Sequence, residues 1–244
     1  MKTPRTPRLI PTTAVALLLA GVLGTTVGAG AATTPARRGR TASQVVALAL
    51  AGLRAAGSYT VTVASTVQNF SATSVTSSTL TSGIRHDVIN GQHGERIFAQ
   101  GVVYVRFTPV LEQLYFAKVI PGLANQWVAF RPGQRYFSVF AATMTGSTLA
   151  PLISPSGRLT MSAALTYDGQ RVVAVTGTPP TTTGLLETLY VSDRAPYRPV
   201  AVRIDSRTAT STTLAETITF SHWGAHLRVS APAHSVASSQ FTLP

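Results

Sequence analysis

The side chains that could do chemistry are few and scattered along this chain. His222 and His226 are four residues apart, which on an extended strand puts both on one face but roughly 13 Å from each other, too far to hold one metal ion. A tight turn at Gly224 would bring them closer. Surface histidines are the simpler interpretation, and we expect no metal site.

The motifs that make an enzymatic function specific are missing. The sequence has no G-x-S-x-G, no P-loop, no G-x-G-x-x-G and no H-E-x-x-H. Glu112, Glu187 and Glu216 are far apart in the sequence, so no carboxylate pair of the glycosidase kind is visible, and we place all three on solvated faces. We therefore expect a protein that is not an enzyme and that uses no cofactor.

Cysteine is absent, which excludes disulfides, thiolate catalysis and cysteine-ligated metal centres. It also excludes lipoprotein acylation, because a bacterial lipoprotein carries its acyl chains on a cysteine that follows the signal peptide. The 20 basic residues outnumber the 8 acidic ones, but they form no run interleaved with aromatic residues at nucleic-acid spacing. We expect no nucleic-acid partner.

The first 31 residues are organised like an export signal. A basic segment, Met1 to Arg8, precedes an uncharged run rich in Leu, Val and Ala, and Ala29-Gly30-Ala31 offers small residues to a signal peptidase. The apolar part is shorter than the roughly 20 residues that span a bilayer, so we expect cleavage, with a retained anchor as the alternative. A basic, flexible linker follows at residues 32–41. The folded part is expected in the cell envelope or the medium, and not as a lipoprotein.

One helix and many strands must position these residues. Apolar residues at helical spacing predict a helix over Ser43–Ala56, capped by Ser43 and ended by Gly57. Short β-branched runs between turn residues predict about ten to twelve strands: Tyr59–Val67, Thr73–Ile84, Arg85–Asn90, Arg96–Ala99, Val102–Phe107, Gln126–Phe130, Leu159–Tyr167, Arg171–Thr176, Leu186–Ser192, Pro199–Asp205, Ala215–Ser221 and His226–Ala231. Asn90-Gly91 and Asp168-Gly169 suit two-residue hairpin turns, so sequential strands should pair antiparallel.

The stretch Pro109–Leu152 interrupts this meander. Its apolar residues predict short helices, and much of the aromatic content lies between Tyr104 and Phe140. These side chains are either core beneath a helix or the wall of an apolar cavity, two interpretations that the sequence does not separate. Alternation puts Trp127 and Phe130 on opposite faces of their strand, and we expect Trp127 to face the interior.

Several short stretches occur together in a recognisable order. They are Tyr167-Asp168-Gly169-Gln170-Arg171-Val172-Val173, Leu189-Tyr190-Val191-Ser192 through Ala195-Pro196-Tyr197-Arg198-Pro199-Val200, Ile218-Thr219-Phe220-Ser221-His222-Trp223-Gly224 with Val229-Ser230-Ala231-Pro232, and, earlier, Ala55-Ala56-Gly57-Ser58-Tyr59, Val103-Tyr104-Val105 and Gln126-Trp127-Val128. This order resembles the LppX/LprG-type lipoprotein family of actinobacteria and its LolA-like relatives. The resemblance covers residues 42–236 as one domain, with a tail at 237–244, and departs from the family in lacking the lipobox cysteine.

The resemblance implies an α+β fold: a curved antiparallel β-sheet, a LolA-like half-barrel, covered on its concave face by a few short helices. It also implies a noncatalytic envelope protein that binds or transports a lipid or acylated amphiphile in an apolar cavity and that can meet the membrane surface. We assign six residues to the cavity wall: Tyr104, Leu111, Leu114, Trp127, Phe137 and Phe140. The alternative is a structural or protein-interaction module of the envelope with a packed core and no ligand. We expect a monomer.

Overall fold

The computed structural model describes residues 39–67, 70–179, 185–207 and 212–244, so the predicted export signal and most of the linker lie outside the described residues. In chain order the elements are α1 (Ala42–Ala55), β1 (Ser58–Val67), β2 (Phe70–Thr79), β3 (Gly83–Ile89), β4 (Gln92–Ala99), β5 (Val102–Arg106), α2 (Pro109–Phe116), β6 (Trp127–Phe130), α3 (Phe137–Ala141), α4 (Gly146–Leu149), a 3-10 helix (Ala150–Ile153), β7 (Ser156–Met161), β8 (Leu165–Tyr167), β9 (Gln170–Thr178), β10 (Leu185–Ser192), β11 (Pro199–Arg207), β12 (Thr212–Ser221), β13 (Val236–Ala237) and a second 3-10 helix (Ser238–Gln240). No helix in these ranges has the length and apolar character that a membrane crossing requires.

The thirteen strands of the described ranges belong to one curved sheet. Their order is β13-β6-β5-β4-β3-β2-β1-β12-β11-β10-β9-β7, with β8 beside β9. Each neighbouring pair is antiparallel except β13 and β6, which run parallel. The two end strands, β13 and β7, are not hydrogen-bonded to each other, so the sheet is open. The predicted fold class, a curved antiparallel sheet with a few short helices, is confirmed.

The two predicted hairpin turns are present. Asn90 and Gly91 have φ of 48° and 79°, and Asp168 and Gly169 have φ of 47° and 72°. Both central residues of each turn are thus left-handed, the conformation that joins two antiparallel strands without splaying them. The turn at Asn90-Gly91 sets Ile89 opposite Gln92 and so fixes the register of β3 on β4.

Four predicted boundaries or strands need correction. The run Thr73–Ile84 is interrupted by a reversal at residues 80–82, and Leu159–Tyr167 is split into β7 and β8. His226–Ala231 contains no strand, because the chain turns away after β12, where Gly224 has φ of 74° and its N–H donates to the carbonyl of Ser58. The boundary drawn after residue 236 falls inside β13.

The cap of helix α1 lies two residues before the predicted one. Thr41, not Ser43, is the cap: its hydroxyl accepts from the N–H of Gln44, and the Gln44 side chain accepts from the N–H of Thr41. This reciprocal pair satisfies two N–H groups that a helix start leaves free. At Gly52 a Cβ would lie 2.1 Å from the carbonyl oxygen of Tyr197, so glycine lets the helix rest directly on the backbone beyond β10.

Two clusters of buried side chains lie between the sheet and its cover. The α1 cluster is mostly aliphatic and includes Val45, Val46, Ala49, Leu53, Val61, Val63, Leu189, Val202 and Ile218. The aromatic cluster lies under α2 and α3 and includes Val103, Val105, Phe107, Leu111, Phe116, Leu123, Val128, Phe130 and Phe140. The inner face of the sheet therefore carries two separate cores.

Candidate functional site

A group of polar side chains lies on the inner face of the sheet between the two cores. In the strand register Thr76 of β2 is opposite Arg85 of β3, which is opposite Arg96 of β4. Directly opposed residues share a face, and this row runs on to buried Val61 on one side and Val105 on the other. We call Ser74, Thr76, Arg85, Asp87 and Arg96 the arginine site.

One carboxylate sits between two guanidinium groups in this site. Arg85 Nε donates to Asp87 Oδ1 at 2.7 Å, and Arg96 Nη2 lies 3.1 Å from Asp87 Oδ2. Ser74 Oγ donates to Asp87 Oδ1 and accepts from Arg85 Nη2 at 2.7 Å. All three charged side chains are only 2–3% exposed, so water does little to screen them.

The charges decide the protonation of Asp87. Burial alone would raise the pKa of this carboxyl, but the charges of Arg85 and Arg96, with hydrogen bonds from Ser74 and Arg85, hold its pKa at about 2. Asp87 is therefore ionised at neutral pH. Burial raises the pKa of Glu216, whereas a hydrogen bond from Ser65 and the charge of Arg85 act to lower that pKa. Within the described residues, the two guanidinium groups thus share a single carboxylate contact.

Two donors of the arginine site have no partner in the described part of the chain. They are Arg96 Nη1 and the Thr76 hydroxyl, both buried. Leaving a buried donor unsatisfied costs about 1–3 kcal/mol, and more when the group is charged. Arg96 also lies 5.6 Å from the ring centres of Tyr115 and Phe140, and its Nη2 donates to the Tyr115 hydroxyl. The arginine site therefore adjoins the aromatic cluster.

The loop of residues 142–145 covers the arginine site. Arg85 Nη1 donates to the hydroxyl of Thr143, whose φ of 61° is rare for a β-branched residue. Next to it, the carbonyl oxygen of Met144 would lie 2.0 Å from a Cβ at Gly83, so the loop rests on the backbone of β3. Backbone strain of this kind collects at functional sites.

The aromatic cluster is packed ring against ring. Phe140 has ring centres at 5.0 Å from Phe130, 5.2 Å from Tyr115 and 5.5 Å from Phe107. Partly buried apolar side chains form a rim around it: Phe98, Leu114, Tyr115, Tyr136, Phe137, Val139, Val236, Phe241 and Leu243. A cleft of about 290 Å³, lined by Ile120 and Phe241 among others, opens at this rim.

The six residues assigned to a cavity wall do not surround one space. Leu111 and Phe140 lie in the aromatic cluster, and Leu114 and Phe137 lie at its rim. Tyr104 and Trp127 alternate with buried residues of β5 and β6 and lie on the other face of the sheet. The predicted wall is thus divided between the two faces of these strands.

Trp127 faces away from the interior, and the expectation that it faces inward is wrong. Val128 and Phe130 of β6 are buried in the aromatic cluster, so alternation puts Trp127 on the outer face. Tyr104 is paired with Ala129 and lies on that outer face too. The packing of Val128 and Phe130 in the aromatic cluster therefore fixes the direction of Trp127.

The charged residues of the arginine site were missed, although the sequence carries a signal for them. A two-residue turn at Asn90-Gly91 sets Arg85 opposite Arg96, and Asp87 shares a face with Arg85 because it is two residues further along the strand. Two arginines and one aspartate on one face of a hairpin indicate an ion-paired cluster. Whether that face is buried depends on the cover, which is distant in sequence.

Two of the carboxylates placed on solvated faces are in fact buried, and the third, Glu216, is half-buried. Glu112 Oε2 accepts from the N–H of Ile120 at 2.7 Å. Glu187 lies on the inner face of β10 with Leu189, neither carboxyl oxygen has a partner in the described residues, and burial raises its pKa to about 8.

The described ranges also offer no grouping of three His, Asp or Glu side chains that could hold a metal ion. His222 and His226 are both exposed. The placement of these two histidines on the surface agrees with the sequence-based interpretation.

The fold is similar to that of several solved structures. LprF from Mycobacterium bovis is 19% identical over 79% of this chain and 97% of that chain, with a TM-score of 0.48. An uncharacterized conserved protein from Thermus thermophilus is 11% identical over 81% and 99%, with a TM-score of 0.47. A chain of the MucA/MucB complex of Pseudomonas aeruginosa is 15% identical over 83% of this chain and 63% of its own length, with a TM-score of 0.42.

These are likenesses of fold alone. The sequence matches no model of a known protein family and no curated protein.

Proposed function

We propose that this protein is a noncatalytic protein of the cell envelope that binds an amphiphile, a molecule with an acyl chain and a polar head, beneath α2 and α3. One observation carries the proposal: the buried guanidinium of Arg96 lies 5.6 Å from the ring centres of both Tyr115 and Phe140. An amphiphile needs apolar surroundings and a polar anchor side by side, and Arg96 lies beside the apolar side chains of the aromatic cluster. The export signal predicted for residues 1–31 supports the envelope as its location.

The cover of the aromatic cluster is built from short pieces. Helix α2 has eight residues and α3 has five, and no side chain caps the start of α3. Such short helices have little stability of their own and depend on their packing. An acyl chain could therefore enter by separating α2 and α3 from β5 and β6, with the half-buried rim as its path.

The free energy of burying an acyl chain favours its entry beneath α2 and α3. Burial of an acyl chain stabilises by about 0.8 kcal/mol per CH₂, so a chain of about 16 carbons supplies on the order of 12 kcal/mol. Each aromatic pair that the chain displaces costs about 0.5–1.5 kcal/mol beyond its buried area. The balance is favourable as long as the displaced rings stay buried against the acyl chain, because rings exposed to water would lose about 25 cal/mol per Å² of buried area.

A second candidate is a structural or protein-interaction module with no ligand. The observation that favours it is the ring-to-ring contact of Phe107, Phe130 and Phe140, which fills the space between α3 and the sheet. In that case the aromatic cluster is a finished core, and the apolar rim is a contact for another protein.

Native mass spectrometry of the exported domain, followed by organic extraction, separates the two candidates. We expect a bound mass that extraction removes and identifies as lipid. Phe137→Glu, which puts a charge on the rim of the aromatic cluster, should abolish the bound mass. Leu50→Glu, a matched change at a half-buried position of α1, should keep it.

Wild-type protein that carries no lipid and takes up none from added dodecanoate would support the packed module instead. Loss of bound lipid in Leu50→Glu but not in Phe137→Glu would place any ligand in the other half of the inner face.

A further inference from the structure

We infer that the arginine site binds one oxyanion group, a carboxylate or a phosphate, through Arg85, Arg96 and the hydroxyl of Thr76. The inference rests on the proposed function for the acyl part of the ligand, because an oxyanion at this place is also the head of an amphiphile whose chain lies in the aromatic cluster. The site itself is argued from charge, from free donors and from its cover.

The first step is the imbalance of charge. Arg85 and Arg96 are each 2% exposed, and Asp87 is the one carboxylate of the described residues that contacts both. A buried ion without a partner is costly, because the protein interior replaces only part of its hydration. One singly charged oxyanion would bring the three charged side chains to neutrality.

The second step is the geometry of the free donors. Thr76, Arg85 and Arg96 stand in one row on three adjacent strands, which are about 4.8 Å apart. Thr76 Oγ1 and Arg96 Nη1, which have no partner among the described residues, belong to the strands on either side of Arg85. An oxyanion above Arg85 would accept from these two free donors, and from Arg85 Nη1 once Thr143 gives up that bond, since charge-assisted hydrogen bonds of about 2.7–2.9 Å suit the planar guanidinium.

The third step concerns the present hydrogen-bond partner of Arg85 Nη1. Its Nη1 donates to the neutral hydroxyl of Thr143, in a residue whose backbone is left-handed at φ 61°. An anion is a stronger acceptor for a guanidinium than a hydroxyl is. An oxyanion that displaces the Thr143 hydroxyl as the acceptor of Arg85 Nη1 would also release the loop of residues 142–145 from its strained conformation.

Glu216 is the carboxyl of this chain that could compete with an external oxyanion for Arg85. Its carboxyl feels the charge of Arg85, but its Oε2 accepts at 3.0 Å from Ser65 of β1, a strand that lies two places away from β3 in the sheet. No hydrogen bond or ion pair joins Glu216 to Arg85 among the described residues. The donors of the arginine site therefore stay open to an external group.

The test compares dodecanoate with dodecanol, two probes with the same chain and a charged or a neutral head, on the delipidated full exported domain. We expect calorimetry to give at least a tenfold lower Kd for dodecanoate. Thr76→Val, which keeps the shape of the side chain and removes its donor, should reduce that ratio several-fold. Thr73→Val, on the exposed outer face of the same strand, should leave it unchanged.

A third probe, inorganic phosphate alone, separates the sources of the oxyanion. Binding of phosphate that Thr76→Val weakens, with no binding of either dodecyl probe, would support the oxyanion site and contradict the amphiphile. Equal Kd values for dodecanoate and dodecanol in the wild type, with no effect of phosphate on thermal stability, would overturn the oxyanion site and leave the amphiphile standing. If Thr76→Val does not fold, Arg96→Lys, which keeps the charge and loses the planar fork, takes its place with the same expected loss.

Discussion

The two halves of the inner face of the sheet are covered in different ways. One continuous helix, α1, with a reciprocal cap at Thr41 and Gln44, lies on the aliphatic half, together with α4 and the first 3-10 helix, which bury Leu149 and Ile153 there. Short helices, loops and the C-terminal residues lie on the aromatic half, where a charged group is buried beside the rings. Because its cover is made of shorter pieces, we expect the aromatic half to open more readily than the aliphatic half. We expect the same kind of change to act differently in the two halves.

Each half contains a buried carboxyl, and removing the charge of Asp87 should have the largest effect. Asp87→Asn leaves Arg85 and Arg96 without their common counterion, so we expect a loss of about 4 kcal/mol in the free energy of unfolding at pH 7. Because the pKa of Asp87 is lowered to about 2, this contribution is present above about pH 4 and is lost as the pH falls through 2.

Urea denaturation at pH 7 and at pH 2 measures this effect. The difference in the free energy of unfolding between wild type and Asp87→Asn should be about 2 kcal/mol smaller at pH 2 than at pH 7, because the pKa of Asp87 is lowered from 3.8 to about 2. A difference that stays the same at both values would show that the charge of Asp87 does not stabilise the fold.

Glu187, the buried carboxyl of the α1 half, should behave in the opposite way. Its pKa is raised from 4.5 to about 8, so the folded protein holds the proton, and stability that is full below pH 4.5 is lost as the pH rises to 8. Glu187→Gln should match the wild type at pH 4.5 and exceed its stability by about 3 kcal/mol at pH 8. Thermal unfolding at these two pH values is the measurement, and a variant less stable than the wild type at pH 8 would contradict this expectation.

Two glycines test how firmly each cover is held. Gly52→Ala sets a Cβ 2.1 Å from the Tyr197 carbonyl and must move α1 as a unit, at a cost of about 2–3 kcal/mol. Gly83→Ala meets the Met144 carbonyl at 2.0 Å, but there a single loop can withdraw, so we expect about 1 kcal/mol. Chemical denaturation of both variants decides the matter, and equal losses would mean that the two covers are equally rigid.

The smallest effect on stability is expected from truncation of half-buried leucines, one in each half. Leu50→Ala and Leu114→Ala should each cost about 1 kcal/mol, because both side chains are only partly buried. Only Leu114→Ala should change the binding of dodecanoate, since Leu114 lies at the rim of the aromatic cluster. Calorimetric titration of both variants would show it, and a change in Leu50→Ala alone would reverse the assignment of the halves.

The sequence predicts the features of this fold that short-range physics decides. The Asn90-Gly91 turn, the apolar stripe of α1 and the class of the sheet follow from backbone conformation and periodicity. The direction of Trp127 does not follow, because alternation gives two opposite faces and only the packing of Val128 and Phe130 chooses between them. The sequence thus predicts the type of an element but not which of its faces is buried.

In the candidate site, too, the local pairing of strands can be predicted from the sequence and the burial of the site cannot. The register of β3 on β4 brings Arg85 and Arg96 together, and that register follows from a two-residue turn. The cover over Arg85 includes Thr143, 58 residues further along the chain. A contact between residues so far apart leaves no local pattern, which is why the burial of Arg85 could not be predicted from the sequence.

Hydrogen–deuterium exchange of the delipidated domain, with and without dodecanoate, tests most directly whether the aromatic half holds the ligand. We expect slower exchange in α2, in α3, in residues 142–145 and in strands β3 to β5 when dodecanoate is present, and no change in α1. Protection confined to α1, or an exchange pattern unaffected by saturating dodecanoate, would contradict a ligand in the aromatic half.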